Sequence, residues 1–352
     1  MATAVAATPR AGALEEAIRA IPADWFKPAP IVYWIDFLTS AAVGWAAFAV
    51  AVAARGWTRA GALVVATLAL YRGVLFIHEI THLNAGDVPL FKFTWNLLVG
   101  VPLLIPSCLY EGVHTDHHRQ RCYGTAADPE YVPYGRKRPV AIVLSGLLSL
   151  LAPIAFVARF AVLAPVGWLI PPLGRVIHDR ASALVINARY VRHAPFDRAA
   201  RVEEAGACAL IWTVVASTWA GAMPAAVLVC WAAAVSAASF ANALRTFAAH
   251  RYDHDHGELS MIEQLLDSCT IAPRGVITSL AGDVVRALAA PVGLRYHALH
   301  HWIPSLPYHN LGRAHRRLVA ALAGDAPYRS TIATGFSPII RDLFRRSRAQ
   351  SS

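Results

Sequence analysis

The sequence predicts an all-α integral membrane protein with about four transmembrane helices and further interfacial or re-entrant helices. Of its 352 residues, 56% are apolar and only 15% are charged, whereas soluble domains average about 25% charged residues. Residues 205–243 carry no charge at all, which the buried helical core of a soluble protein does not explain. A bilayer is therefore predicted to surround most of the chain.

Four stretches approach the ~20 apolar residues that are needed to cross a bilayer. The first covers residues 31–54 and the second residues 60–80. The other two are the arms of a hairpin over residues 206–244, with its turn near Met223 and Pro224. These stretches are the four predicted transmembrane helices.

Three histidine clusters with related spacing occupy residues 78–82, 114–118 and 297–301. Positions i, i+3 and i+4 share one face of an α-helix, so each cluster directs its imidazoles towards a common point. Their members are His78, His82, His114, His117, His118, His297, His300 and His301. Zinc needs only three or four protein ligands, and imidazole also suits iron. The sequence therefore predicts a site for two iron ions.

All three clusters must lie on one side of the membrane if they form one site. Residues 93–110 contain Pro102 and Pro106, and we expect them to dip into the membrane and return or to lie in the interface. Residues 140–173 are interrupted by Pro153, Pro165 and Pro171 and must cross twice or not at all. Lys and Arg are dense near the second cluster, over residues 175–201 and after residue 245, which indicates the cytoplasmic face. We expect a bacterial inner-membrane protein with a cytoplasmic histidine-rich cap holding the di-iron site.

The terminal segments differ from the membrane part in composition. Residues 1–30 lack a cleavable signal pattern and are predicted to form an amphipathic cytoplasmic arm. Residues 31–318 form the predicted membrane domain, and residues 319–352 a basic cytoplasmic tail. The net charge of +10 is assigned to contact with anionic membrane lipids and an acidic protein partner rather than nucleic acid.

The boxes HEITH, HTDHH and HALHH, separated by hydrophobic spans, resemble those of the membrane fatty acid desaturase superfamily, the integral-membrane di-iron enzymes with three histidine boxes. That superfamily also contains hydroxylases and ketolases. The segment 294–318, with prolines after the third box, is similar to the end of a bacterial desaturase domain. The resemblance covers residues 33–318 and implies a ninth ligand at His250. Some relatives have an asparagine as a tenth ligand, where this chain has Thr246.

The resemblance also implies the chemistry. Two iron ions would activate dioxygen, the co-substrate, and the oxidant would remove hydrogen from an unactivated carbon of a fatty acyl chain or lipid. The leading prediction is a desaturase that introduces a double bond, and the alternative on the same scaffold is a hydroxylase. Electrons must come from an external donor of the ferredoxin, rubredoxin or cytochrome type with its reductase, because no fused haem, CxxC iron or GxGxxG flavin motif is present.

Residues near the boxes have their own interpretations. Glu79 and Asp116 are predicted to orient histidine rings by accepting hydrogen bonds from the nitrogens that do not bind metal, or else to face water or pair with a basic neighbour. The sequence leaves open whether Arg72, the one charge in the second span, reaches the interface or serves the site. The remaining histidines are predicted to lie in a solvated loop, to pack near the site, or to lie at the surface: His254 and His256, His309 and His315, and His178 and His193, respectively.

Two other classes of protein are weaker alternatives. His78, Glu79 and His82 match the HExxH signature of a zinc metalloprotease, with Glu79 as general base. That interpretation leaves the other two clusters unexplained. A non-catalytic membrane protein that binds metal or lipid is the other alternative, and lipid analysis would distinguish it from an enzyme.

Overall fold

The computed structural model describes residues 9–254, 257–272 and 280–349. These residues form seventeen α-helices and two short strands. The helices are α1 (Pro9–Arg19), α2 (Pro30–Ala53), α3 (Gly56–Ile80), α4 (Phe91–Trp95), α5 (Val113–His118), α6 (Pro139–Ser149), α7 (Ala152–Val157), α8 (Ala164–Leu169), α9 (Pro171–Ala181), α10 (Arg198–Trp219), α11 (Ala226–Phe247), α12 (Met261–Asp267), α13 (Leu280–Ala289), α14 (His297–Trp302), α15 (Tyr308–Ala321), α16 (Pro327–Ser330) and α17 (Phe336–Ala349). Strands β1 (Thr270–Ile271) and β2 (Ile332–Ala333) pair in parallel.

Four helices in the described part of the chain are long and apolar enough to cross a membrane. They are α2, α3, α11 and the continuous helical segment 152–169, in which a π-helical stretch links α7 to α8. Large apolar side chains such as Ile31, Val64 and Val229 are exposed on these helices, as expected for residues that face lipid. The predicted fold class is confirmed.

The four apolar helices include three of the four predicted spans. The spans predicted at 31–54 and 60–80 correspond to α2 and α3, and the second hairpin arm corresponds to α11. The first arm lies in α10, whose first two turns carry Arg198, Arg201, Glu203 and Glu204. Because of these charges α10 is less apolar than segment 152–169, which is the fourth helix that is long and apolar enough to cross a membrane. Residues 206–219 of α10 are uncharged, as predicted for the first hairpin arm.

Helices α2 and α3 form a tight antiparallel hairpin. A Cβ atom on Gly44 would lie 2.7 Å from the Leu70 side chain, so the absence of a side chain allows close approach. Within this hairpin, Arg72 pairs with Asp36, at 2.7 Å from Nε to Oδ1 and 2.5 Å from Nη2 to Oδ2. The open question about Arg72 is thereby answered, since its partner is a carboxylate on the neighbouring span.

Segment 139–169 turns back on itself. Ser236 lies in the middle of α11, and its hydroxyl donates to the Leu150 carbonyl (2.7 Å). Arg159 then reaches the Glu204 carboxylate (2.5 Å) in the first turns of α10, and the Ser182 hydroxyl (2.7 Å). The chain therefore runs beside α11 as far as Leu150, reverses direction there and returns to the side on which it started. This path supports the expectation that residues 140–173 cross the membrane twice or not at all.

Residues 91–109 form a closed loop rather than a straight span. The Asn96 side-chain amide donates to the Ser107 hydroxyl (3.0 Å), and the Ser107 backbone N–H donates to Asn96 Oδ1 (2.8 Å). The fully buried Trp95 donates its indole N–H to the Gly73 carbonyl on α3 (2.7 Å). The loop is thus fixed against α3 at the end that carries the first histidine box.

The remaining elements form a cap over that end. Helix α12 packs against α14, and β1 pairs with β2. The terminal segments also join the cap, because Leu14 of α1, Tyr328 of α16 and Leu343 of α17 are at most 1% exposed. The cap therefore draws on both ends of the chain to enclose the histidine boxes.

Candidate metal centre

Nine histidines converge beneath the cap in two groups whose ring nitrogens lie within 4.8 Å of one another. The five-histidine group contains His78, His82, His114, His118 and His300. The four-histidine group contains His117, His250, His297 and His301. These are the nine positions predicted from the boxes and the resemblance. Their role as metal ligands stays a prediction.

The spacing of the nitrogens tests whether metal ions fit. Within the five-histidine group, Nε2 of His114 lies 3.1 Å from that of His82 and 3.0 Å from that of His118. Within the four-histidine group, Nε2 of His297 lies 2.9 Å from that of His250 and 3.2 Å from that of His301. Two ligands at right angles and about 2.1 Å from an ion would be about 3.0 Å apart. The two groups therefore fit a pair of ions with near-octahedral coordination.

The protonation of the rings is compatible with this fit. Burial lowers the pKa of His114, His118 and His301 well below the usual range, and neighbouring histidines lower it further. Burial, with the charge of His117, lowers the pKa of His82 to about 4. These rings are therefore neutral at physiological pH, which is the form that binds metal.

Two carboxylates contact the Nδ1 atoms of histidine rings in these groups. Asp128 lies 2.8 Å from Nδ1 of His117, and Glu130 lies 2.5 Å from Nδ1 of His114. The Nε2 atom of His117 is buried and has no hydrogen-bond partner among the described residues, so this nitrogen is free for a metal. Such partners fix the orientation and tautomer of metal-binding histidines. Sequence reasoning missed both carboxylates, because the loop between α5 and α6 has no periodic spacing to reveal them.

His250 is oriented by a different network. Its Nδ1 lies 2.7 Å from the Tyr123 hydroxyl, which also donates to the Asp267 carboxylate (2.9 Å). Tyr123 and Asp267 are both buried. The network connects α12 of the cap to the loop after α5, so the cap contributes to the geometry of the four-histidine group.

Glu79 and Asp116 have partners other than histidine rings, and for Asp116 the partner is the basic neighbour that the sequence left open as an alternative. Glu79 accepts hydrogen bonds from the Tyr33 hydroxyl (2.7 Å) and the Tyr308 backbone N–H (3.2 Å), and its closest approach to His78 Nδ1 is 3.6 Å. Asp116 binds Arg119 (2.6 Å) and accepts from Tyr190 (2.7 Å). Neither hydrogen-bonds a histidine ring, because helical geometry turns the residue next to a ligand away from the metal. Since Glu79 is engaged by Tyr33 and Tyr308, the zinc-protease interpretation also loses its general base.

The other histidines that the structure describes, and Thr246, lie outside both groups. His309 accepts from the Ala29 backbone N–H (3.2 Å), and His315 contacts the Tyr328 hydroxyl (2.7 Å). His178 contacts the Ala194 carbonyl, and His193 is exposed. His254 is half-buried, and His256 lies outside the described residues. The Thr246 hydroxyl accepts from Arg245 (3.0 Å), so the position of the possible tenth ligand serves another contact.

A cavity of about 500 Å³ reaches the five-histidine group from within the helices. Its volume lies in the usual range for small-molecule sites. It lies between α3, α11 and the hairpin 139–156, and its lining includes Leu70, Val74, His78, Leu148, Phe156, Val235 and Ala238. Polar groups lie mainly at the His78 end, and the opposite end is apolar. The cavity can therefore place an apolar chain beside the histidines.

Removing the charge of Asp128 is expected to loosen metal binding. Asp128→Asn should lower iron affinity by about 10- to 100-fold, as for other partners of ligand histidines, measured by iron retention against a chelator. The matched control is Asp116→Asn, since Asp116 is an equally buried carboxylate next to His117 that bonds Arg119 and Tyr190 instead. Equal retention of iron by both variants would contradict the role given to Asp128.

Comparison with known proteins gives two findings. The fatty acid desaturase family model matches residues 55–332. The chain is also 40% identical over 332 residues to a protein of Caulobacter vibrioides named ceramide hydroxylase, and the match covers 94% of this chain and 92% of that protein. No solved structure matches the chain.

Proposed function

We propose, because the chain belongs to the fatty acid desaturase family, that this membrane oxidoreductase is an oxygen-dependent hydroxylase of an N-acyl lipid of the ceramide type. The observation that carries the proposal is the 40% identity to a ceramide hydroxylase over nearly the full length of both chains. The sequence alone favoured desaturation, with hydroxylation as the alternative on the same scaffold. The identity to this relative is the reason that we place hydroxylation first.

The reaction inserts one oxygen atom into a C–H bond. One dioxygen, two electrons and two protons yield the alcohol and one water. Two iron ions, when bound, would supply the activation of dioxygen that no side chain can provide. The five-histidine group would hold one ion and the four-histidine group the other. We also propose that an external ferredoxin, rubredoxin or cytochrome with its reductase provides the electrons.

The protein itself contributes orientation and exclusion of water. Asp128, Glu130 and Tyr123 hold ligand rings in one orientation, so that little rearrangement is needed when metal binds. The apolar lining on α3 and α11 admits a hydrocarbon chain and keeps water away from the reacting carbon. His78, which lines the cavity, marks the point where the chain meets the centre.

Desaturation is the second candidate, favoured by the description of the family model. It begins with the same removal of hydrogen, but a second hydrogen is lost and two waters form. The mass of the product separates the two reactions. Expression in a ceramide-producing host with a competent electron donor should yield lipids that gain one oxygen atom. Lipids that instead lose two hydrogens would replace the proposal with desaturation.

We further propose that the centre faces the cytoplasm from the bacterial inner membrane. Gln120 is exposed in the basic segment after α5, and Ala222 is exposed in the uncharged turn between α10 and α11. In a Cys122→Ser background, a cysteine at residue 120 should react with impermeant reagent only after the cytoplasmic side is opened, and one at residue 222 should react in intact spheroplasts. The reverse labelling pattern would contradict this orientation.

A further inference from the structure

Arg245 is a cation inside the cavity that forms no direct ion pair with any described carboxylate. It lies in the last turn of α11, lines the cavity and is half-buried. Its Nε donates to Asn242 Oδ1 (3.1 Å) and its Nη2 to the Thr246 hydroxyl (3.0 Å). Among the described residues, no carboxylate oxygen lies within ion-pair distance of this guanidinium. A guanidinium has five N–H donors, so donors remain for a further acceptor.

The position of Arg245 is at the metal end of the cavity. Helices α3 and α11 run in the same direction, so His78 and Arg245, both near the ends of their helices, share one level. The deep end of the cavity is about 12 Å from His78 at Leu70 and about 16 Å from Arg245 at Ala234, measured along each helix.

The surroundings favour a neutral polar group over an anion. Glu130 and Tyr110 line the same end as Arg245, and a second carboxylate brought next to Glu130 would be disfavoured by like charge. The Ser145 hydroxyl, which contacts the Tyr134 hydroxyl (2.6 Å), adds a group that can both donate and accept. This mixture matches an amide with adjacent hydroxyls.

We propose that Arg245, held by Asn242 and Thr246, binds the amide carbonyl of the substrate at the metal end of the cavity, so that oxidation falls on a carbon close to the amide. The hydrocarbon chain then extends towards Leu70 and Ala234. A mid-chain reaction would require apolar space on both sides of the centre, whereas the polar residues occupy the metal end. This inference rests on the proposed function, because it takes the substrate to be an N-acyl lipid. It does not depend on whether the product is an alcohol or contains a new double bond.

The test measures binding without turnover. Purified protein in detergent, under argon and without an electron donor, is titrated with tritiated N-palmitoyl ceramide and, separately, with tritiated palmitate. Arg245→Met should weaken ceramide binding by about 10- to 100-fold, since a hydrogen bond to a charged group is lost, and Arg245→Lys should recover part of it. Arg138→Met, which removes an exposed cation before α6, should bind like the wild type.

Several results would overturn the assignment. Unchanged ceramide binding by Arg245→Met would refute it, and so would tighter, Arg245-dependent binding of palmitate. If Arg245→Met does not fold, Asn242→Ala replaces it and should weaken binding several-fold, because Arg245 loses one of its supports. Fragmentation of the wild-type product should place the modification near the amide, and a modification beyond the middle of the chain would contradict the inference. A double bond near the amide would refute hydroxylation but support the role of Arg245.

Discussion

His301→Ala is expected to remove all detectable lipid product and to lower the iron content of anaerobically prepared protein from about two atoms to about one per chain. His301 is one of only four imidazoles in its group, with Nε2 3.2 Å from that of His297. Its loss leaves three nitrogens and opens the buried site to water. Elemental analysis of the purified protein and lipid mass spectrometry of the host give the two measurements.

Two further variants make this result specific. His300→Ala leaves four imidazoles in the five-histidine group, so iron content should fall less while the product is still lost. His193→Ala removes an exposed histidine outside both groups and should change neither quantity. Full iron content and normal product in the His301 variant would show that the four-histidine group is not a metal site. Zinc in aerobically prepared protein would not decide the matter, because zinc binds such ligands more tightly than ferrous iron does.

Filling the cavity is expected to stop turnover without removing iron. Ala238 lines the cavity on α11, and its replacement by tryptophan would occupy the space where the hydrocarbon chain lies. Activity on a ceramide should fall by about 100-fold, while iron content stays at the wild-type value. Turnover assays and metal analysis on the same preparation test both parts.

The adjacent residue provides the matched control. Ala237 is exposed on the outer face of α11, so Ala237→Trp adds the same side chain to the same helix on a lipid-facing surface. It should leave activity nearly unchanged. If both variants retain activity, the cavity between α3, α11 and the hairpin 139–156 is not the substrate site.

Much of the candidate site follows from local sequence. The three boxes can be recognised from the sequence because residues three and four positions apart share a helical face. Eight histidines have this spacing, so no tertiary information is needed to identify them. His250 is assigned only by resemblance, since its neighbour at i+4, His254, lies in a polar turn and not in a histidine box. Asp128 and Glu130 could not be found at all, because they reach His117 and His114 through an irregular loop whose path depends on the fold.

By itself, the sequence determined the membrane-embedded, all-α class and the histidines of the three boxes, since hydropathy and helical period are local properties. Only the tertiary structure decided how the nine histidines divide. In the second box, His114 and His118 belong to the five-histidine group and His117 to the four-histidine group. In the third box, His297 and His301 belong to the four-histidine group and His300 to the five-histidine group. Around a helix, residue i+4 lies about 40° from residue i, and residue i+3 lies about 60° from residue i in the other direction. Which group each ring enters then depends on how α5 and α14 face each other beneath the cap, and that arrangement is set by packing between segments nearly 200 residues apart.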